Sequence, residues 1–406
     1  MNYTRQEVLD FVREEDVKFI RLAFCDIFGN QKNVSIMADE LERALEGDIS
    51  FDASAIKGFA SEEDSDMFLQ PDPSLFSLLP WRPSRGKVAR LYCDVVYPDG
   101  RAYELDCRQL LKRAVKAAAQ KGITVYFGTE YEFYLFKTDE DGCSTKIPFD
   151  RAGYMDIAPD DAGENVRREI CLTLEEMGIR PEASHHEEGP GQNEIDFKYS
   201  DALTAADNAN TFKTVVKNTA ARNGLSADFS PKPLKDFSGN GMHVNMSVHS
   251  INGVDYSAQF MAGILKHICE MTAFLNPSTE SYERLGSHKA PLYVTWSSRN
   301  RSQLIRIPAS REAAGKRIEL RSPDSNANPY LAYALLIFAG LEGIDNKLTP
   351  APASSFNPFT VEKSVADSLE KLPDSLNKAQ EIAAKSEFIK KYLPAKLIDG
   401  YCCREA

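Results

Sequence analysis

Four short segments of this sequence place polar side chains at every second position, with apolar residues between them. A β-strand has a side-chain period of two, so such a segment carries its polar side chains on one face of a sheet. The segments are residues 128–134, 192–197, 242–248 and 317–321. The charged or metal-binding side chains among them are several carboxylates, one histidine and arginines. The pattern predicts a functional site on a sheet face.

The acidic side chains of these segments indicate a metal site. Glu130 and Glu132 share one face of the first segment, and Glu194, His243 and Glu319 lie in the other three. Carboxylates that converge raise each other's pKa unless positive charge offsets them. Two divalent cations would neutralise the group. Hard oxygen ligands with one imidazole suit Mg²⁺ or Mn²⁺ better than zinc.

Arginines accompany these acidic residues in the sequence. Arg317 and Arg321 flank Glu319, and Arg301 and Arg306 lie shortly before them. Guanidinium groups bind phosphates and carboxylates through paired hydrogen bonds. Each segment alone would more often be a solvated strand or a surface patch. Their joint occurrence favours a phosphoryl-transfer site, in which metal ions and arginines surround a phosphate.

The elements that must position these residues suggest an α+β protein. A helix at 6–15 precedes strands at 18–24 and 87–96, and the proline-containing stretch 71–83 is expected to be a surface loop. A long helix at 107–121 opens a second region, so we place the domain boundary near residue 104. Further helices are expected at 163–178, 202–223 and 328–343, a loop at 350–358, and mainly helix at 361–392. The common nucleotide-binding glycine loops do not occur in the sequence.

Composition excludes several classes of protein. The 406 residues are 43% hydrophobic and 27% charged, as in a globular protein of two or three domains. The net charge of −12 argues against a nucleic-acid-binding protein. The longest uncharged apolar run, 331–341, is too short to span a membrane. Arg5 and Glu7 carry charge where a signal peptide would have its apolar segment, so we expect a cytoplasmic protein with no membrane contact.

The polar strand segments, with several other stretches in the same order, resemble the type I glutamine synthetase family. The matching stretches are 51–59, 128–136, 184–197, 231–233, 238–247, 300–308 and 317–332. The resemblance implies a small N-terminal β-grasp domain at 1–103. It also implies a larger catalytic domain at 104–406, with a curved antiparallel sheet flanked by helices. The family forms a ring-stacked homo-dodecamer with active sites between neighbouring subunits.

The resemblance also implies an activity and a set of site residues. The activity is ATP-dependent ligation of ammonia to the γ-carboxyl of L-glutamate through γ-glutamyl phosphate, with Mg²⁺ or Mn²⁺ bound and ATP as co-substrate. One metal ion would be held by Glu132, Glu187 and Glu194, and the other by Glu130, His243 and Glu319. Glutamate would be bound by Gly239, Arg284, Arg301 and Arg321. ATP would be bound by Glu182, Tyr199, Asn245, Ser247, Arg306 and Arg317. The residues expected to be catalytic are Arg301 and Asp52, the latter acting on ammonium from a neighbouring subunit; without the resemblance, Asp52 would be read as a turn residue.

Three positions depart from the family pattern. Lys289 stands where the family's flap usually has glutamate, Lys57 where it often has glutamate, and Glu280 where it usually has asparagine. Two alternatives therefore stay open. One is a γ-glutamyl ligase for an organic amine, and the other is a non-catalytic family member that serves as a regulator or scaffold.

Lys289 leads to the first testable prediction. A lysine beside the amine site would repel ammonium, so Lys289→Glu is expected to lower the KM for ammonium. The KM for ATP should stay nearly fixed, because the predicted nucleotide contacts lie elsewhere. Steady-state kinetics with each substrate varied in turn would check both expectations, and an unchanged ammonium KM would contradict the first.

Overall fold

The computed structural model describes residues 3–82, 85–311 and 317–403. Two β-sheets organise these residues, and helices cover the larger one. Within the described ranges, no helix is both long and apolar enough to cross a lipid bilayer.

The first sheet is built from the N-terminal part of the chain. Its strands are β1 (Val17–Cys25), β2 (Gln31–Met37), β3 (Ile49–Asp52), β4 (Asp66–Pro71), β5 (Ser77–Leu78) and β6 (Lys87–Val96). They are accompanied by helices α1 (Arg5–Glu14) and α2 (Leu41–Leu45). The strand order is β2-β1-β6-β4-β3, with β5 also paired to β6. Strands β1 and β6 are parallel and the other pairs are antiparallel, so this is a mixed sheet.

The predicted elements of this region are largely confirmed. The first helix begins at Arg5, where the Thr4 side chain and Glu7 form a capping box, and β1 and β6 cover the predicted strands. The expectation that 71–83 is entirely a loop is wrong. A short 3₁₀ turn, Pro73–Leu75, and strand β5 occupy part of it, because β5 finds hydrogen-bonding partners on β6. Pro83 lies outside the described residues.

The second sheet has ten strands and carries the four polar segments. Its strands are β7 (Ile123–Thr138), β8 (Ser144–Pro148), β9 (Pro181–His186), β10 (Gln192–Phe197), β11 (Ser200–Asp201), β12 (Leu225–Asp228), β13 (Met242–Ser250), β14 (Trp296–Ser297), β15 (Ile305–Arg306) and β16 (Ile318–Leu320). The main order is β14-β15-β16-β13-β7-β10-β9, and the long strand β7 also pairs with β8, β11 and β12. The expected antiparallel arrangement holds except at one edge, where β14 and β15 are parallel.

Helices pack around this sheet and against each other. They are α3 (Cys107–Gln120), α4 (Glu164–Glu176), α5 (Ala202–Arg222), α6 (Ser257–Leu275), α7 (Thr279–Arg284), α8 (Pro329–Asp345), α9 (Lys363–Ser368), α10 (Leu376–Lys385), α11 (Glu387–Tyr392) and α12 (Ala395–Cys402). The predicted helices within 107–121, 163–178, 202–223 and 328–343 are confirmed, as is the helical C-terminal part. Helix α8 is apolar on nearly all sides because it is buried between α6 and α3.

A buried arginine links the N-terminal sheet region to helix α5. Arg108, on α3, is only 3% exposed. It forms ion pairs with Asp72 at 2.9 Å, Asp94 at 2.5 Å and Asp207 at 3.1 Å. Asp72 and Asp94 belong to the N-terminal sheet region, whereas Asp207 lies on α5. One guanidinium therefore offsets carboxylates from both parts of the chain.

Loss of Arg108 should destabilise the protein strongly, because it leaves three carboxylates without their shared cation. We expect Arg108→Met to lower the free energy of unfolding by about 3–5 kcal/mol, the usual cost of breaking a buried ion pair. Urea denaturation followed by circular dichroism would measure it. The matched control is Arg101→Met, since Arg101 forms an exposed pair with Asp99 and its loss should have no measurable effect. Equal stability of the two variants would contradict the prediction.

Candidate active site

The central strand β7 and its two neighbours bring the acidic residues together. Glu130 and Glu132 leave the same face of β7. His243 on β13 lies directly opposite Glu130, and Glu194 on β10 lies directly opposite Glu132. Glu187 follows the last residue of β9, and β9 pairs with β10. Antiparallel register thus converts residues far apart in sequence into neighbours.

The next strand pairs extend this arrangement across the sheet. Asn245 on β13 is opposite Glu319 on β16, and Glu319 is in turn opposite Arg306 on β15. Glu319 is fully buried, and its two oxygens accept hydrogen bonds from Arg306 and Arg321. Arg317 donates from Nε to the Asn245 side-chain oxygen at 2.8 Å.

Several combinations of these side chains have the geometry of a metal site. The ligand atoms of Glu130, His243 and Glu319 all lie within 4.8 Å of one another. The same holds for Glu132, Glu194 and His243. Glu187 meets this criterion together with Glu194 and His185. The predicted set of Glu130, His243 and Glu319 is thus one of these groups, whereas the members of the other set, Glu132, Glu187 and Glu194, are divided between two groups that share Glu194. Carboxylates and imidazole suit Mg²⁺ or Mn²⁺.

The carboxyl groups of the cluster have pKa values that are shifted by burial and by each other's charge. Burial, reinforced by Glu132, raises the pKa of Glu194 well above its ordinary value. Burial and Glu132 also raise the pKa of Glu187 to about 7. Glu130 differs, because hydrogen bonds from His243 and Asn245 outweigh the effect of burial and lower its pKa to about 2. Divalent cations would supply the charge that keeps Glu187 and Glu194 ionised.

A cavity of about 370 Å³ opens beside this cluster. Its lining includes nine of the residues predicted to bind metal or glutamate: Glu130, Glu132, Glu187, Glu194, Gly239, His243, Arg284, Arg301 and Arg321. Acidic residues and arginines therefore face one common space.

The arginines of the cavity are held in different ways. Arg284 ends helix α7, is 3% exposed, and donates to the carbonyl oxygens of Ser322 at 2.8 Å and Arg321 at 3.2 Å. The Nε atom of Arg321 is buried and has no hydrogen-bond partner among the described residues. An unpaired buried donor is costly, so this part of Arg321 carries an unmet hydrogen bond. Gly239 must be glycine, since a Cβ there would lie 2.3 Å from the Pro231 carbonyl oxygen and 2.9 Å from Arg284 Cγ.

The six predicted nucleotide residues lie farther along the same sheet, and none of them lines the cavity. Ser247 is opposite Tyr126 on β7, and the Tyr126 ring contacts the Tyr199 ring edge-on at 5.9 Å. Tyr199 is 68% exposed, and Glu182 is exposed on β9. The open ring of Tyr199 offers an apolar surface beside the polar row, which is the kind of surface on which a base can stack.

Asp52 lies in the N-terminal domain and does not line the cavity of its own chain. Its Oδ1 atom accepts hydrogen bonds from the Ser54 backbone N–H at 2.9 Å and the Ser54 hydroxyl at 2.6 Å. These bonds lower the pKa of Asp52. Within one chain Asp52 caps a 3₁₀ turn. A role at the site of a neighbouring subunit stays a prediction.

Two acidic residues of this region did not emerge from the sequence. Asp196 is opposite Glu130, and burial together with Glu194 raises its pKa to about 9. Its spacing of two from Glu194 was an available signal. Glu188 accepts a hydrogen bond from Lys289 at the mouth of the cavity. That pairing joins two distant loops, so local sequence gave no signal for it.

The fold and the site together define a metal- and anion-binding enzyme site on a mixed sheet. Comparison with known proteins identifies the family. Residues 16–98 match the model of the glutamine synthetase β-grasp domain, and residues 104–405 match that of the glutamine synthetase catalytic domain. The chain therefore belongs to the glutamine synthetase family.

Individual relatives match over almost their whole length. A glutamine synthetase from Clostridium saccharobutylicum is 48% identical, with 100% of this chain and 94% of the relative aligned. One from Thermus thermophilus is 45% identical over 97% and 92% of the two chains. Among solved structures, GmaS in complex with ADP has a TM-score of 0.87 at 30% identity, covering 97% of this chain and 94% of its own. Plasmodium falciparum glutamine synthetase has a TM-score of 0.87 at 25% identity, covering 99% and 95%.

The ligand geometry leads to a binding prediction. The chain should bind two Mn²⁺ ions, and Glu130→Gln should weaken the binding of one of them by at least about tenfold, because an amide cannot replace the carboxylate charge. Isothermal titration calorimetry on the metal-stripped protein would measure both sites. Glu381→Gln, an exposed change on α10, is the control and should leave both sites intact. Unchanged binding in Glu130→Gln would contradict the assignment.

Proposed function

We propose that this protein is an ATP-dependent glutamate–ammonia ligase that forms glutamine, ADP and phosphate. The observation that carries the proposal is the single cavity in which metal-type ligand sets and buried arginines meet. Similarity to glutamine synthetases over essentially the whole chain supports the same activity.

The γ-carboxylate of glutamate is a poor acyl donor, so the reaction requires its activation. Transfer of the terminal phosphoryl group of ATP to the γ-carboxylate would give γ-glutamyl phosphate, which ammonia attacks with loss of phosphate. Divalent metal ions, when bound, offset the negative charge that builds on the phosphoryl oxygens. We assign one ion to Glu132, Glu187 and Glu194, and the other to Glu130, His243 and Glu319. Mg²⁺ and Mn²⁺ both fit these donor sets.

The proposed substrate contacts are based on which arginine side chains line the cavity. Arg321, Arg301 and Arg284, with Gly239, are proposed to bind glutamate, since guanidinium groups recognise carboxylates and all four residues line the cavity. The phosphates are proposed to lie near Arg306 and Arg317, which border the metal ligands on the sheet. The remaining nucleotide residues are proposed to be Glu182, Tyr199, Asn245 and Ser247.

The amine step is proposed to involve two subunits. Asp52 does not line the cavity of its own chain, so its action on ammonium is proposed to take place at the site of a neighbouring subunit in a homo-dodecamer. Arg301, at the cavity, is proposed to stabilise the charge that develops during acyl transfer. The division into an N-terminal domain at 1–103 and a catalytic domain at 104–406, and a cytoplasmic location, belong to the same proposal.

The alternatives are less well supported. The curated relatives described above are named glutamine synthetases, which favours ammonia over an organic amine. A non-catalytic scaffold would have no need for mutually repelling carboxylates, yet all the predicted metal ligands are present and adjacent.

The activity can be tested by phosphate release from ATP. Purified protein should release phosphate only when glutamate, ammonium and Mg²⁺ or Mn²⁺ are all present, and ammonium should give a higher kcat/KM than methylamine or ethanolamine. Glu319→Gln should lower kcat at least about a hundredfold, because it removes a buried anion at the centre of the site. Glu381→Gln is the control and should be as active as the wild type. Absence of glutamate-dependent turnover with every amine would refute the proposal.

A further inference from the structure

An ion pair joins two loops at the mouth of the cavity. The Lys289 ammonium donates to Glu188 Oε1, and the Ser238 hydroxyl donates to Glu188 Oε2 at 3.4 Å. Glu188 belongs to the loop between β9 and β10, whereas Lys289 belongs to the loop between α7 and β14. Both residues line the cavity together with the predicted glutamate-binding arginines.

The backbone of both loops holds the pair in place. The Glu188 backbone N–H donates to the side chain of Glu187 at 3.0 Å, which ties Glu188 to a predicted metal ligand. On the other side, Ala290 N–H donates to the Ser287 carbonyl at 3.0 Å. His288 adopts a positive φ of 52° within that tight turn. The turn presents Lys289 towards the cavity mouth instead of leaving it on a long free segment.

The positive charge of Lys289 affects which ligands can enter the cavity. At about 4 Å, two unit charges interact by about 1 kcal/mol in water and more near a protein surface, so an unpaired ammonium at the mouth would oppose entry of a cation. Glu188 supplies an opposite charge in direct contact with Lys289. The electrostatic effects of these two opposite charges largely cancel at the position of an approaching ligand. The mouth therefore presents a nearly neutral pair.

We propose that Glu188 is a specificity-determining residue for the amine substrate, because it offsets Lys289 and so allows a small cationic amine such as ammonium to enter. The inference rests on the proposed ligase activity. It concerns charge at the entrance and assigns Glu188 no part in bond making or breaking.

The two residues should have opposite effects when neutralised separately. Glu188→Gln leaves Lys289 unpaired and should raise the KM for ammonium about two- to fivefold, the range expected for an exposed ion pair. Lys289→Gln leaves the carboxylate unpaired and should lower that KM. The double variant, Glu188→Gln with Lys289→Gln, should return close to the wild-type value.

Two measurements distinguish an effect of charge from an effect on loop structure. Hydroxylamine is a nucleophile that is largely uncharged at neutral pH, so its KM should not change in any of the three variants. The KM for ATP should also stay constant. Asp374→Asn and Lys378→Gln remove the charges of an exposed pair on and beside α10, and neither should change the KM for ammonium.

The outcomes are distinct. If both single variants shift the ammonium KM in the same direction, or if the hydroxylamine KM shifts equally, the pair acts by holding the loops and the inference is overturned. Unchanged ammonium kinetics in an active Glu188→Gln variant also overturn it. Absence of glutamate-dependent turnover in the wild type would overturn the proposed function, and this inference with it.

Discussion

Mutual repulsion among carboxylates on one sheet face is the constraint on which the rest of this structure depends. Glu130, Glu132 and Glu194 lie on adjacent strands, and Glu187 joins them from a loop. Burial and repulsion raise the pKa of Glu187 and Glu194, so the protein alone does not favour their ionised state. Such an arrangement is stable only if cations enter or protons remain. Divalent metal ions bound at this face would supply the cations.

Regular strand pairing and packing hold these acidic groups in position. Strand β7 is long enough to pair with several other strands, and its central position fixes the register on both sides. Behind it, the Phe127 ring stacks on Tyr333 of α8 at 4.3 Å, so the apolar face of the strand is bound to the buried helix. Rigid strands position ligands more precisely than loops do. The acidic face is thus supported by a packed apolar face on the other side.

Charged side chains cluster at three places in the structure, and the way in which their charges are balanced differs among them. Arg108 neutralises several carboxylates between the two sheets, in a buried position that is fully occupied by the protein's own side chains. At the site, Glu319 is paired with Arg306 and Arg321, but Glu194 has no arginine in comparable contact among the described ion pairs. At the cavity mouth, an exposed pair balances its own charge. A metal ion bound beside Glu194 would supply the positive charge that arginines supply to Glu319.

The sequence by itself determined the polar face of each strand and most helices. A period of two places Glu130 and Glu132 together whatever the rest of the chain does, and the capping residues and apolar patterns of α1, α3 and α8 define those helices locally. The family resemblance extended this to the domain types, which the comparisons confirm. Strand β5 was missed because two residues carry no periodic signal and only pairing with β6 makes them a strand.

Tertiary structure decided which of these faces meet. Three arrangements depend on strand register and helix packing between residues that are up to 113 positions apart: His243 opposite Glu130, Glu319 opposite Asn245, and Arg108 among its carboxylates. Glu188 and Lys289 are ordinary charged residues in sequence, and they form a pair only because two loops approach at one cavity. Local periodicity sets the direction of a side chain, whereas its partner, its burial and hence its pKa depend on long-range contacts that periodicity does not encode.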